Sequence, residues 1–125
     1  MPMEISHIWL AVFPSETAFD EYFAESYSED DESPINAFAR DQGQNYYDHS
    51  WVERTFTKDA DLRGVIDGHS YSDDYIDKVI QKASADQIES ANTFIMADVE
   101  EFSSPRSVEA DAYRIWYLGK YECRV

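Results

Sequence analysis

Apolar residues run unbroken from Ile8 to Phe13 inside the segment Glu4–Phe13 (EISHIWLAVF), the pattern of a strand covered on both faces and central in its sheet. Pro14 ends it, and Ser15 is placed to cap a helix running to about Tyr27, with Phe19, Tyr22, Phe23 and Tyr27 on one stripe. Ser33-Pro34 offers a cap followed by proline at a first helical position. Ile35, Phe38 and Ala39 then form the inner face of a short helix that Gly43 closes. Tyr46–Thr57 alternates weakly and predicts a second strand from near Ser50, and Asp61–Asp67 a helical turn. Ser72-Asp73-Asp74 opens the clearest helix, a cap and two acids at the positive end of the dipole, with Tyr75, Ile76, Val79, Ile80 and Ala83 along one face.

Ala91–Phe102 begins apolar and turns acidic, as a third strand leaving the core would. Ser103–Glu109 is a polar loop broken by Pro105. Tyr113–Glu122 alternates, with Tyr113, Ile115, Tyr117 and Tyr121 against Arg114, Trp116, Leu118 and Lys120, and predicts a last strand antiparallel to the third. The expected fold is α+β: helices packed on a four-stranded mixed β-sheet, in a single two-layer domain over residues 1–125.

Charge changes this picture more than composition does. Ten basic residues face 26 acidic ones, for a net −16, and the first base is Arg40. The segment from Ser15 to Glu32 carries Glu16, Asp20, Glu21, Glu25, Glu29, Asp30, Asp31 and Glu32 and no base, with aromatic residues interleaved. Self-repulsion on this scale works against a compact state, and solubility alone needs far less. Nucleic acid and anionic membranes are excluded as partners, because their phosphates would be repelled. A basic protein is the natural complement. The single Cys123 rules out an internal disulfide, and no apolar stretch reaches the length of a signal core or a membrane span, so a cytoplasmic chain is expected.

Residues with catalytic potential are few. Asp48-His49 and Gly68-His69-Ser70-Tyr71 place two histidines beside Asp, Ser and Tyr, which could hold zinc or form a hydrolytic triad. Neither group has the spacing of HExxH or GxSxG, and a loop histidine beside a turn glycine more often fixes the turn. His7 reads as a satisfied core histidine, and Ser28–Asp31 lacks the register of a calcium loop. No catalytic, cofactor or metal residue is assigned.

The segments HIWLAVFPSETAFDEYF, FARDQGQNYYDHSWVERTF, GHSYSDDYIDKV and ANTFIMADVEEF together resemble the bacterial immunity protein 22 family, from His7 to about Tyr121. Tyr47-Asp48-His49 and Ser70-Tyr71-Ser72 are the most telling parts. The resemblance implies a cytoplasmic antidote to a secreted polymorphic toxin, a class in which nucleases are frequent, and brings no defined site residues with it. Set beside the charge, it implies a cognate, basic toxin as the partner, and the lack of ligand spacing and of a second cysteine leads to the expectation of a monomer or weak dimer without bound metal. The expected contact residues are Glu25, Glu29, Asp30, Asp31, Glu32, Asp48, Tyr71, Asp73 and Asp74. Two other readings stand beside it: an acidic nucleic-acid mimic that blocks a DNA-binding protein, and a small hydrolase using His49, His69 and Asp48.

Overall fold

The structure, a computed structural model, describes residues 3–27, 33–58, 61–67, 69 and 72–124. Its strands are β1 (Met3–Val12), β2 (Val52–Phe56), β3 (Thr93–Asp98), β4 (Val108–Glu109) and β5 (Arg114–Arg124). Its α-helices are α1 (Glu16–Phe23), α2 (Ala37–Asp41), α3 (Leu62–Ile66) and α4 (Ser72–Ala85). The strands form one sheet in the order β2-β3-β1-β5-β4, and every pairing is antiparallel. The α+β class holds, but the expected four-stranded mixed sheet is a five-stranded antiparallel one. The extra strand comes from the loop around Pro105, where Val108 and Glu109 pair with Ile115 and Arg114. β5 pairs with β1, so β3 and β5 flank the central strand and run parallel to each other, where an antiparallel relation was expected.

The unbroken apolar run of β1 is explained by what lies on its two sides. Ile8 and Leu10 join Phe94, Met96 and Leu118 under α3 and α4, where Val65, Ile66, Tyr75, Ile76 and Val79 are buried. Trp9 and Ala11 join Ile95, Ala97 and Ile115 under α1 and α2, where Phe19, Tyr22, Phe23 and Phe38 are buried. Helices therefore cover both faces of the sheet, where a single helical layer was expected. Each fully buried large apolar side chain contributes about 1.5–3 kcal/mol relative to exposure. On the α1–α2 side, Trp9 meets Phe38 and Phe102 edge-on at ring separations of 5.2 Å, the preferred geometry of aromatic pairs.

Local chemistry sets the boundaries. The Ser15 hydroxyl accepts from the Ala18 amide at the start of α1. The helix stops at Phe23, short of the expected Tyr27, because Tyr27 is exposed and offers no burial to prolong the stripe. α2 begins later than Ser33-Pro34 predicts: Asn36 is its cap, accepting from the Ala39 amide and donating to Phe23 O and Tyr47 Oη. Gly43 follows α2 with φ +80°, a left-handed turn suited to glycine. Asp61 caps α3 through the Gly64 amide, at the expected helical turn.

A bulge shapes the end of the sheet. β1 pairs Ile8 with Gly119 but Trp9 with Tyr117, so Leu118 is the extra residue and Gly119 takes φ +105°. The insertion reverses the alternation of β5. Tyr121, expected to share a face with Tyr117, instead packs with Leu118 and Cys123 under α4, while Tyr117 stays with Trp9.

Candidate functional site

The acids of this chain divide into those used inside the fold and those left at its surface. Asp41, at the end of α2, accepts from the hydroxyls of Tyr22 (2.8 Å) and Tyr113 and pairs with Arg40 at 3.2 Å. The burial of Tyr22 and that carboxylate push its phenol far above its ordinary range. Asp41 therefore fastens α1 to the sheet and is no contact residue.

The end of the sheet where β1 begins and β3 finishes is different. As β3 leaves the core its chain makes a 3-10 turn, Val99–Glu101, before Phe102 returns to pack on Trp9. Opposite it lies a second 3-10 turn, His49–Trp51, which leads into β2. The Asp48 carboxylate caps this turn by accepting from the Ser50 amide, and the Asp48 amide donates to Glu101 Oε1 at 2.8 Å. Trp51 crowns it with 56% of its surface exposed, although most aromatic side chains here are buried.

Two clefts open on either side of Trp51. One, of about 240 Å³, is lined by Glu4, Glu53 and Asp98, with Met96 at its base. The other, of about 490 Å³, is lined by Glu4, Asp98, Glu100 and Glu101, with Ile5 at its edge. Among the described residues no lysine, arginine or histidine lines either one. The field of Glu4, Glu53 and Asp74 reaches the buried Cys123 thiol, which burial and these three charges push up to about 11. Three segments far apart in the chain, at Glu4, Glu53 and Asp98–Glu101, thus supply one acidic band.

Glu25 extends the band toward α1. It is largely covered and lies 3.0 Å from His49 Nδ1, and it accepts from the Tyr27 hydroxyl. Burial alone would raise its pKa. The hydrogen bonds from Tyr27 and His49, with the charges of His49 and Arg54, outweigh that and hold the carboxyl below its ordinary range. Arg54 is itself held over the Phe23 ring at 5.0 Å.

Of the expected contact residues, Glu25 and Asp48 belong to this band, and Asp74 stands half-buried in the first turn of α4. Asp73 is exposed in the first turn of α4. Glu29, Asp30, Asp31, Glu32 and Tyr71 lie outside the described residues. Although Asp48 and His49 are neighbours in sequence, the Asp48 carboxylate turns back to its own 3-10 turn and the His49 ring pairs with Glu25. His69 sits on the other face, 3.4 Å from Glu53 and tilted against Phe94 with ring centroids 4.4 Å apart. His49, His69 and Asp48 therefore do not assemble into one hydrolytic group. Among the described residues no set of three or more His, Cys, Asp or Glu converges as a metal site, and no helix is long and apolar enough to cross a membrane.

Trp51, Glu4, Glu53, Asp98, Glu100 and Glu101 are absent from the sequence-based choice of contact residues. Glu4, Glu53 and Asp98 are single acids on three strands, Trp51, Glu100 and Glu101 sit in 3-10 turns, and only the antiparallel register Ser6–Asp98 and Val52–Ala97 gathers them. Nothing among curated proteins or solved structures matches the chain. A family model described as Immunity protein 22 matches residues 6–123. That span takes in β2 to β4 whole and most of β1 and β5, beginning just after Glu4, and the chain belongs to the Immunity protein 22 family.

Proposed function

We propose that the protein neutralises a cognate secreted bacterial toxin in the cytoplasm by binding it as a monomer, with the acidic end of its sheet laid against a basic surface. The family implies a toxin-immunity role. The observation that supports the charged mode is the pair of clefts around Trp51, lined among the described residues by five carboxylates and no base. A cationic groove built for phosphates is the chemical complement of such a surface, so a nuclease is the toxin class it fits best. Long-range attraction between the two raises the association rate, which suits an antidote that must engage before damage is done. The protein contributes no chemistry of its own: it occupies. Asp48, Asp73, Asp74 and Glu25 are assigned to the rim of this contact. Glu29, Asp30, Asp31, Glu32 and Tyr71 are assigned to it from sequence alone.

The test is binding to the toxin domain encoded beside it, with association rates measured at low and high salt. Stoichiometric 1:1 binding, loss of toxicity and an association rate that falls steeply with salt are expected. Absence of binding would overturn the immunity reading. Tight binding whose rate ignores salt would overturn the electrostatic mode.

A further inference from the structure

We infer that Trp51 is the anchor of this interface and receives an arginine of the partner, its guanidinium stacked on the indole and its N–H groups shared by Glu4, Asp98 and Glu100. The inference rests on the immunity reading and deepens it.

The anchor is defined by three independent features. The first is exposure: Trp51 stands in solvent, whereas Trp9 is fully buried and Trp116 half-buried. Tryptophan is among the residue types enriched where a few contacts dominate binding. The second is rigidity. The Trp51 amide donates to Asp48 O at 3.0 Å, the Asp48 carboxylate closes the same turn, and Glu101 holds the Asp48 amide from the opposite side. A ring presented on so constrained a backbone loses little entropy when covered. The third is its surroundings. Both clefts share Trp51, Glu4 and Asp98 as walls, so a side chain lying across the indole meets carboxylates whichever side it enters.

This surface selects against most occupants. An apolar side chain would desolvate the carboxylates without replacing their water, and an acidic one would be repelled. A cation satisfies both ring and carboxylates. Between the two cations, arginine is flat enough to stack and offers a fork of donors for two carboxylates, while lysine brings a compact, strongly hydrated charge. The chain itself uses this pairing elsewhere: Arg54 lies over Phe23 at 5.0 Å and Arg114 over Trp116 at 5.2 Å. Among the described residues no such cation lies over Trp51.

The experiment compares the parent with Trp51→Ala and with the double variant Glu4→Gln, Glu100→Gln, using the toxin domain encoded beside it as the probe. Circular dichroism and the unfolding midpoint confirm that each variant is folded. Trp51→Ala should weaken binding by about thirtyfold or more, chiefly through faster dissociation. The double variant should chiefly slow association and flatten its salt dependence. Toxin whose arginines are blocked with phenylglyoxal should bind parent and Trp51→Ala alike, and lysine-acetylated toxin should still distinguish them. If the parent binds no toxin, the immunity reading itself fails. If the parent binds and Trp51→Ala binds equally well, the immunity reading stands and the anchor is refuted. Discrimination that survives arginine blocking, or a parent-only dimer in sedimentation that Trp51→Ala abolishes, would equally overturn the arginine assignment.

Discussion

His7 offers the sharpest test of how the fold places its polar groups. The ring is buried in β1, with Nε2 3.1 Å from both Val99 O and Phe102 O and Nδ1 2.8 Å from Tyr117 Oη. Two carbonyls at Nε2 require a proton there, so in the neutral ring Nδ1 accepts from the tyrosine hydroxyl. His7 thereby fastens the turn that carries Glu100 and Glu101 to the central strand. Burial lowers its pKa from the ordinary 6.5, against the raising effect of the Phe102 and Val99 carbonyls; Lys120 lowers it further and Asp98 opposes. Replacing His7 with Phe keeps the bulk and removes the donor. The buried Phe102 carbonyl then loses a partner, at a cost of about 2–3 kcal/mol near neutral pH. The folded pKa lies below the unfolded one, so the stability conferred by the neutral ring is fully present above 6.5 and lost as pH falls through the folded value. The unfolded chain gains a proton that the folded chain resists, which removes up to about 1.4 kcal/mol per pH unit. Urea unfolding of parent and His7→Phe at about pH 7.5 and about pH 5.5, above the main carboxylate range, isolates this group from His49 and His69. The gap between the two proteins should narrow at the lower pH. A gap unchanged within a few tenths of a kcal/mol, or one that widens, would refute the assignment of a buried neutral ring.

Other consequences of the fold are open to simple measurement. Gln87 follows α4 with φ 62°, and the next amides close the helix through Gln87 N to Ser84 O and Ile88 N to Ala83 O. Gln87→Gly should therefore raise stability by about 0.5–1 kcal/mol in a urea titration, and a loss would mean that this turn is not left-handed. Gly43→Ala should cost about 1–2 kcal/mol, because φ is +80° and the new Cβ would lie 2.6 Å from the Arg106 guanidinium unless that side chain moves. Raising NaCl from about 0.05 M to about 0.5 M should raise the melting temperature by screening the acidic band, and a fall would show that attraction dominates its charges.

Legibility in the sequence tracked how local the cause was. β1 and α4 could be read because burial on two faces, or on one helical stripe, writes itself into consecutive residues. β4 could not: Val108 and Glu109 have no pattern of their own and become a strand only against Ile115 and Arg114, with the Ser107 hydroxyl accepting from the Tyr117 amide. The reversal in β5 had one visible sign, an isolated glycine within a strand, which is the usual mark of a bulge. The clefts were less legible still. Glu4, Glu53 and Asp98 are single acids on three strands, unremarkable until antiparallel pairing sets them side by side, whereas the run Glu29–Glu32 is conspicuous because its acids are neighbours in sequence.

The distribution of charge also bears on why a fold this small tolerates it. The band around Trp51 gathers carboxylates that repel one another. The aromatic cluster from Trp9 through Phe38 and Phe102 to Tyr47 lies on the α1–α2 side of the same sheet. Each ring contact there adds about 0.5–1.5 kcal/mol beyond its buried area. Phe102 belongs to that cluster, yet it immediately follows Glu100 and Glu101, and its carbonyl is one of the two that His7 holds. The acids are thus carried on a short turn fixed at one end by the Asp98 cap and at the other by a ring at the centre of the core. Repulsion within the band then acts on a rigid support and cannot relax by local unfolding without exposing Phe102 and unpairing His7. A partner that neutralises the band would relieve the repulsion without reordering the backbone. That arrangement favours a fast, pre-organised association over one that must fold the contact surface on arrival.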